Sequence, residues 1–442
     1  MRRFMTQEMN LEKEDMYQID GPLDMTVFFG FCGIKGYNHL RYPEAHPHSP
    51  WSMLELKRTP ETNIFDMIRE KDLLIHLPYE SFDESVVNFL YSAANDKDVL
   101  AIKQTLYRVS SSSPVVQALE KAVQNGKQVT VLMEVKARFD EANNILMARR
   151  LEKAGAHVIY GLVGLKTHSK CTLVIRREKD GIRRYVHVAT GNYNASTAKL
   201  YTDLGILTCN DRFGIDASAF FNLLSGYSDP PIWDSFIVAP INLRQRCIEL
   251  IDREIHFAKN GEDAHMIAKM NSLLDKGIIE KLYEASQAGV KIELIVRGIC
   301  VLIPGIPGVS DNITVRSIVG RFLEHSRIFW FRNGGREELY ISSADWMPRN
   351  LNDRVELMVP IEDPEIKRRL KQMVDIELSD NQKAHIMQAD GTWLKTISAE
   401  NQLCAQEYFQ KIAEKRDAED EMTLAQKLEP YTPVLGHGDG SD

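Results

Sequence analysis

The sequence of 442 residues lacks the features that mark membrane, secreted and zinc-binding proteins. It contains no uncharged apolar run of the about 18 residues that a membrane-spanning helix requires. Its basic start, MRRFMTQEMNLEKED, is not followed by an apolar stretch and so does not have the pattern of a secretory signal. The six cysteines are scattered without a CxxC pair, which favours a reducing cytosol and speaks against a thiolate zinc site. We therefore expect a cytoplasmic protein.

The sequence also lacks an excess of positive charge and the glycine-rich loops that often hold nucleotide phosphates. It contains 54 lysines and arginines and 62 aspartates and glutamates, which gives a net charge of −8. This balance argues against a nucleic-acid partner, although it leaves room for a local basic pocket. Neither a P-loop nor a kinase glycine loop occurs. If a nucleotide binds, arginine and histidine side chains have to hold its phosphates.

An internal duplication organises most of the chain. The segments QNGKQVTVLMEV (124–135) and QAGVKIELIVRG (287–298) repeat one helix–stop–strand unit at an offset of 163 residues. Strands that alternate with helices predict two tandem α/β domains with mainly parallel sheets. The length also suits two to four domains, at about 100–200 residues each. We expect four segments: an irregular one of loops and short strands over 1–55, α/β domains over 56–235 and 236–425, and a disordered polar tail over 426–442.

Local signals place individual helices. Ser113 and Pro114 are typical of a helix start, and Gly126 is typical of its end. Asp363 and Pro364 predict another helix that runs through residue 378. A last helix over roughly 398–418 gives the chain a helical C-terminal end.

Two triplets, one in each half, are the strongest candidates for chemistry. His168-Ser169-Lys170 and His325-Ser326-Arg327 each follow a glycine turn and lead into a strand. Neutral histidine can attack phosphorus, and protonated histidine can act as a general acid. Because side chains two residues apart in a strand share a face, Lys170 and Arg327 are placed to bind phosphate oxygens. A lone histidine is more often structural, but two in equivalent positions of a duplication argue against that interpretation.

Each half closes with an acid inside an apolar strand, Asp203 in TDLGILT and Glu356 in VELMV. An acid in such a strand is rarely left without a partner. A carboxylate can hold an imidazole in one tautomer. We therefore expect the two acids to orient the histidine rings, with Asp203 on His168.

Arginines stand at the ends of three predicted strands: Arg108, Arg138 and Arg297. Ligands of parallel α/β sheets bind beyond the carboxyl ends of the strands, and guanidinium matches phosphate oxygens bidentately. The three residues therefore predict a polyanion site, with surface salt bridges as the alternative.

The paired histidine motifs, each followed by a small-residue turn and a late acid, resemble the phospholipase D superfamily. The turn-and-acid segment SSADWMPRNLNDRVELMV is close to the second motif of that superfamily, and the corresponding segment of the first half, ATGNYNASTAKLYTDLGIL, is a variant of it. Across the whole chain, the sequence is similar to bacterial polyphosphate kinases of the histidine-dependent type. The segments that carry this resemblance are DMYQIDGPLD, TLYRV, EVKARFDE, GLKTHSK, ATGNYN, EHSRIF and SADWMPRN.

This resemblance implies an enzyme that reversibly moves the terminal phosphate of ATP onto inorganic polyphosphate through a phosphohistidine. It also implies Mg²⁺ as cofactor, with ATP and ADP as the nucleotides. Carried over by motif, the nucleophile is His168, and His325 contacts ATP and assists proton transfer. The other positions carried over are ATP-binding at Tyr201 and Arg297 and the magnesium site at Arg108 and Arg138, while Lys170 and Arg327 stay the phosphate-binding candidates that the shared strand face predicts. Arginine has no lone pair for a metal, so we expect Arg108 and Arg138 to bind the phosphates that carry Mg²⁺.

The resemblance further implies a homo-oligomer and at most a peripheral association with the inner membrane. Members of the family have an N-terminal domain and a head domain before DGPLD, so this chain is expected to be a truncated member without the adenine-binding residues. Two alternatives stay open from the sequence. One is a phospholipase D-like phosphodiesterase, and the other is a catalytically impaired fragment that binds polyphosphate.

Overall fold

The structure is a computed structural model that describes residues 2–9, 11–12, 15–54, 62–110, 112–135, 141–226 and 232–427. The chain forms two compact units, residues 1–45 and 46–442. The first unit carries helix α1 (Arg2–Glu8) and two 3₁₀ helices (Met25–Gly33 and Asn38–Leu40). Its described residues contain no strand, so the prediction of short strands there is wrong. Asp24 instead accepts a hydrogen bond from the Thr26 amide and starts a 3₁₀ helix.

The first half of the larger unit alternates strands with helices. Its strands are β1 (Leu73–Leu77), β2 (Val99–Leu106), β3 (Gln128–Met133), β4 (His157–Tyr160), β5 (Lys166–Thr167), β6 (Cys171–Glu178), β7 (Gly181–Ala189) and β8 (Tyr201–Thr208). Its helices are α2 (Ile64–Glu70), α3 (Asn88–Asn95, continuing a π-helical turn at Asp83–Val87), α4 (Pro114–Gln124), α5 (Glu141–Ala154) and α6 (Asp211–Leu224).

The second half repeats this alternation and adds C-terminal helices. Its strands are β9 (Ile237–Ala239), β10 (His265–Met270), β11 (Lys291–Val296), β12 (Ile313–Ile318), β13 (Leu323–Glu324), β14 (Arg327–Phe331), β15 (Glu338–Ser342), β16 (Arg354–Pro360), β17 (Ala384–Met387) and β18 (Trp393–Lys395). Its helices are α7 (Leu243–Lys259), α8 (Lys276–Gln287), α9 (Pro348–Asn352), α10 (Pro364–Leu378) and α11 (Ala405–Lys427). Short 3₁₀ turns occur at Trp51–Met53, Thr197–Lys199 and Asn333–Gly335. The prediction of two tandem α/β domains is confirmed.

Each half is built on one mixed sheet, so the prediction of mainly parallel sheets is wrong. The strand order is β1-β8-β7-β6-β2-β3-β4 in the sheet of the first half and β18-β17-β12-β11-β10-β14-β15-β16-β5 in the sheet of the second, where the last strand, β5, comes from the first half. The parallel core strands are β2-β3-β4 and β10-β11-β12. They are parallel because helical crossovers join most of them, whereas hairpins such as β6–β7 and β14–β15 produce antiparallel neighbours.

The helix that precedes β3 and its duplicate before β11 bury equivalent faces. Val115, Val116 and Leu119 of α4 are buried in one apolar core, and Ile278 and Leu282 of α8 are buried in the other. Each such side chain contributes about 1.5–3 kcal/mol to the free energy of unfolding. The predicted start of α4 is confirmed, because the Ser113 hydroxyl accepts a hydrogen bond from the Val116 amide at 3.4 Å.

The C-terminal helices agree in part with the sequence prediction. Helix α10 begins at Pro364 as expected, with Asp363 accepting from the Ile366 amide at 2.9 Å. Helix α11 begins at Ala405, later than the predicted start at 398, because Asp380 accepts from the Ala405 amide at 2.7 Å and caps the helix there. No helix in the described part of the chain is long and apolar enough to cross a membrane.

An exchange of short strands between the halves positions the histidines. Strand β5 of the first half pairs in parallel with β16 of the second, with Thr167 beside Val355. Strand β13 of the second half pairs in the same way with β8 of the first, with Glu324 beside Thr202. The segment that leads to each histidine is therefore attached to the acid-bearing strand of the opposite half.

Candidate active site

His168 lies at the end of β5, where the amides of His168 and Ser169 both donate to the Val355 carbonyl at 2.9 Å. The side chain is buried, and its Nδ1 lies 2.9 Å from Glu356. The Glu356 carboxylate also accepts from the Ser343 hydroxyl at 2.5 Å and from the Asn350 amide at 2.5 Å. These contacts fix both the acid and the ring.

The protonation state of His168 follows from this geometry. Burial disfavours the charge on Glu356, but His168, Lys170 and the Ser343 hydroxyl outweigh burial, so the pKa of Glu356 is lowered and the carboxylate is ionised. An ionised carboxylate only accepts hydrogen bonds, so the proton of the ring lies on Nδ1. Burial lowers the pKa of His168 to about 3, despite the opposing charge of Glu356. The ring is therefore neutral, with a lone pair on Nε2.

Lys170 supplies positive charge beside this ring. Its Nζ lies 3.0 Å from His168 Nδ1 and donates to the His168 carbonyl. The Tyr107 ring packs edge-on against His168, with the centroids 4.7 Å apart, and lies 5.8 Å from Lys170 Nζ. Burial, with smaller contributions from Arg327 and Arg354, lowers the pKa of Lys170 to about 7, although Glu356 opposes the shift.

This shifted pKa predicts an alkaline limb in the pH profile. Lys170 is protonated below its pKa, so its charge for binding phosphate is lost as the pH rises through about 7. For ATP, the substrate that the sequence resemblance implies, we expect kcat/KM to fall about tenfold per pH unit above that limb. In Lys170→Arg, the limb should move to higher pH, because arginine keeps its charge and the second half already has an arginine, Arg327, at the matching position. An unchanged limb in this variant would contradict the assignment to Lys170.

His325 has a similar but not identical environment. Its Nδ1 lies 2.9 Å from both oxygens of Asp203, and its Nε2 lies 3.2 Å from Arg327 Nη1. Because arginine only donates, Nε2 is the acceptor and the proton lies on Nδ1. Arg327 is held by Asp345 at 3.1 and 3.2 Å. Burial is the largest cause of the lowered pKa of His325, and Arg327 adds to it against the opposing effect of Asp203.

The two acids are exchanged relative to the sequence prediction. Asp203 does not contact His168, as expected from the sequence, but holds His325, while Glu356 holds His168. The reason is the strand exchange, which seats each histidine on the acid-bearing strand of the other half. The charges also act across the two halves, since Lys170 contributes to the lowered pKa of His325. The two motifs therefore form one site.

A hydroxyl supports each acid at the same spacing, which sequence reasoning missed. Thr190 donates to Asp203 at 2.6 Å, and Ser343 donates to Glu356 at 2.5 Å, each 13 residues before its acid. This repeated spacing is the signal that could have revealed them. Tyr107 and Arg354 were missed too, because neither belongs to the repeated histidine, cation and acid positions.

Gly191 allows Asp203 to come close to the turn that follows β7. A Cβ at position 191 would lie 2.2 Å from Asp203 Oδ2, so a side chain there forces the carboxylate to move. We expect Gly191→Ala to lower the free energy of unfolding by about 1–3 kcal/mol, measured by denaturant titration. Gly30→Ala is the control, because a Cβ at position 30 has no neighbour within 4 Å, and it should change stability by less than about 0.5 kcal/mol. Equal losses in the two variants would refute the steric argument.

Comparisons with known proteins identify the family. Residues 63–230 match the model of polyphosphate kinase C-terminal domain 1, and residues 236–406 match that of polyphosphate kinase C-terminal domain 2. The chain belongs to the polyphosphate kinase family.

Individual members of the polyphosphate kinase family support this assignment. The chain is 56% identical over 378 residues to the polyphosphate kinase of Halalkalibacterium halodurans, covering 85% of this chain and 53% of that protein. It is 50% identical over 413 residues to the polyphosphate kinase of Thermosynechococcus vestitus, covering 89% and 56%. The solved structure of polyphosphate kinase from Porphyromonas gingivalis matches with a TM-score of 0.83 and 35% identity, covering 95% of this chain and 63% of that one. The chain thus spans about half the length of the curated relatives it matches.

Two residues that the resemblance to polyphosphate kinases links to ATP lie beside His325. The Tyr201 ring is 5.2 Å from the His325 ring, centroid to centroid. Arg297 donates through Nε to the carbonyl of Glu324 at 3.1 Å and through Nη2 to Asn271 Oδ1 at 2.8 Å. The structure thus places Tyr201 against the His325 ring and Arg297 on the peptide group that joins Glu324 to His325.

The described residues do not fit a resident Mg²⁺. Arg108 follows β2 next to Tyr107, which packs on His168, but a guanidinium cannot ligate a metal. The second arginine of that prediction, Arg138, lies outside the described residues. Within the described ranges, no group of three or more histidines, cysteines, aspartates and glutamates is placed to hold a metal ion. Asp203 and Glu356 are already engaged by the histidines.

Proposed function

We propose that this chain transfers the terminal phosphate of ATP reversibly to the end of an inorganic polyphosphate chain, through a phosphohistidine on His168. The observation that carries this proposal is the difference between the two histidines. The Nε2 lone pair of His325 accepts a hydrogen bond from Arg327. Among the described residues, the His168 ring has its hydrogen bond at Nδ1, which donates to Glu356, and this leaves the Nε2 lone pair available to attack phosphorus.

In the first half-reaction, His168 Nε2 forms a bond to the γ-phosphorus as the bond to the ADP oxygen breaks. The ring gains positive charge, and Glu356 stabilises its Nδ1 proton. Lys170 and Arg327 stabilise the charge on the transferring phosphoryl group. Phosphoryl transfer needs little covalent chemistry from the protein. Positioning and electrostatic stabilisation therefore account for most of the lowering of the activation barrier.

In the second half-reaction, a terminal oxygen of polyphosphate attacks the phosphorus and His168 leaves as the neutral imidazole. We assign Tyr201, Arg297 and Arg108 to binding phosphates and nucleotide, and His325 to proton transfer with Asp203 as its support. Arg138 belongs to the same proposal by its motif. Arg108 and Arg138 would bind the phosphates that carry Mg²⁺, since a guanidinium has no lone pair to offer the metal itself.

Trapping the phosphoenzyme tests this proposal and separates it from the alternatives. With ATP labelled at the γ-phosphate, we expect a base-stable, acid-labile label on the peptide that contains His168. Addition of unlabelled polyphosphate should discharge the label into the polymer. A phosphodiesterase would instead acquire label from a phosphate diester and none from ATP. A polyphosphate-binding fragment would retain the polymer without acquiring label from either donor.

A further inference from the structure

A buried carboxylate directly precedes His325 and is held by donors from three parts of the fold. The Glu324 side chain accepts from Thr202 of the first half at 2.8 Å and from Lys269 of the second half at 2.6 Å. It also accepts from Gln406 of helix α11 at 2.6 Å. All four residues are at most 4% exposed, so these contacts are shielded from water. Such shielding strengthens a hydrogen bond and raises the cost of losing one partner.

Gln406 clamps the segment that contains this carboxylate. Its side-chain amide donates to the Phe322 carbonyl at 2.9 Å and accepts from the Phe322 amide at 3.0 Å. Gly320 makes room for it, since a Cβ there would lie 2.4 Å from Gln406 Oε1. The Ala405 amide donates to Asp380 at 2.7 Å, which fixes the first turn of α11 where Gln406 stands. The first turn of the C-terminal helix α11 therefore fixes the segment 320–324 through the hydrogen bonds of Gln406.

These contacts reach His325 through its backbone. The Thr202 hydroxyl that donates to Glu324 also accepts from the His325 amide at 3.1 Å. Arg297 donates to the Glu324 carbonyl at 3.1 Å, in the peptide group that joins Glu324 to His325. Asp203, which holds the ring of His325, is the next residue after Thr202. A movement of Glu324 therefore changes the position of the His325 ring relative to Asp203 and Arg297.

We propose that Glu324 is a positioning residue for His325, and that helix α11 takes part in this alignment through Gln406. The inference rests on the proposed function, in which His325 serves phosphoryl transfer. Glu324 does not contact the His325 ring in this arrangement; it acts through the peptide that carries the ring. The C-terminal helix is then a part of the catalytic apparatus, in addition to packing against the second half.

Glu377 provides a matched control, because it shares Lys269 with Glu324 but has no hydrogen bond to the His325 segment. Lys269 Nζ contacts Glu377 Oε1 at 2.5 Å and Glu324 Oε2 at 2.6 Å. Glu377 Oε2 is buried without a hydrogen-bond partner in the described structure. Burial is the main cause that raises the pKa of Glu377 to about 7, so glutamine resembles its protonated form. Glu324→Gln and Glu377→Gln therefore each remove one carboxylate from the same lysine.

The experiment measures kcat and KM for ATP in Glu324→Gln, Gln406→Leu and Glu377→Gln, together with the ¹⁵N resonances of the His325 ring. We expect the first two variants to lower kcat by about 10- to 100-fold, as a misplaced catalytic group does, with a smaller change in KM. Their His325 resonances should shift. Glu377→Gln should stay within about threefold of the parent in kcat, with the His325 resonances unchanged. Thermal unfolding of each variant shows whether it is folded.

Thr202→Val keeps the side-chain volume and replaces Glu324→Gln or Gln406→Leu if either fails to fold. Equal losses of kcat in the Glu324 and Glu377 variants would overturn the inference, since both would then act only through Lys269. Unmoved His325 resonances in Glu324→Gln and Thr202→Val would overturn it as well. If the parent chain shows no turnover of ATP, the proposed function fails, while the resonances still decide the positioning role of Glu324.

Discussion

Replacing His168 by alanine is expected to abolish transfer from ATP to polyphosphate, with kcat lower by at least about 10⁴-fold. The variant loses the atom that is proposed to form the covalent bond to phosphorus. Measurement of ADP release and polymer growth under saturating ATP gives the rate. The same variant should acquire no acid-labile label from γ-labelled ATP.

His325→Ala is the matched comparison, because His325 has the same neighbours by type but its Nε2 is engaged by Arg327. We expect this variant to lower the rate yet still acquire label at His168 on prolonged incubation. A labelled His168→Ala variant, or label at position 325 in the parent chain, would assign the nucleophile to the second half. That result would reverse the roles proposed here for the two histidines.

Replacing Glu356 by glutamine is expected to lower kcat by about 10³- to 10⁴-fold, in line with loss of the carboxylate that orients a catalytic histidine. The amide of glutamine can donate to Nδ1 of His168, which favours the tautomer with its proton on Nε2. The lone pair is then absent from the attacking atom. The rate of labelling of His168 by ATP, measured in a single turnover, should fall by the same factor as kcat.

Asp203→Asn separates the exchanged pairing from the pairing within one half. Because Asp203 holds His325, this variant should leave the ¹⁵N resonances and the tautomer of His168 unchanged. Glu356→Gln should move the His168 resonances and leave those of His325 in place. The opposite pattern would mean that each acid supports the histidine of its own half, and that the exchange of strands β5 and β13 is not present in solution.

Local signals in the sequence were sufficient for much of the fold. The Ser113 cap, the Asp363 cap and the duplicated apolar faces of α4 and α8 depend on neighbours within a few residues, which the sequence displays directly. Helix α11 was placed too early because its start depends on Asp380, 25 residues before Ala405. The prediction of mainly parallel sheets is wrong for a similar reason, since the pairing of strands in hairpins is decided by contacts between strands and not by strand composition.

The sequence by itself singled out the residues that are proposed to carry the chemistry: two histidines, their following cations and two strand acids, repeated in two halves. It could not determine which acid serves which histidine. That pairing was decided by tertiary structure, because the short strands β5 and β13 hydrogen-bond to the opposite half and bring Thr167 beside Val355 and Glu324 beside Thr202. The repeat in the sequence shows which positions of the two halves are equivalent. The same repeat would be seen whether each acid contacts the histidine of its own half or that of the other half. Only the packing of the two sheets chooses between them.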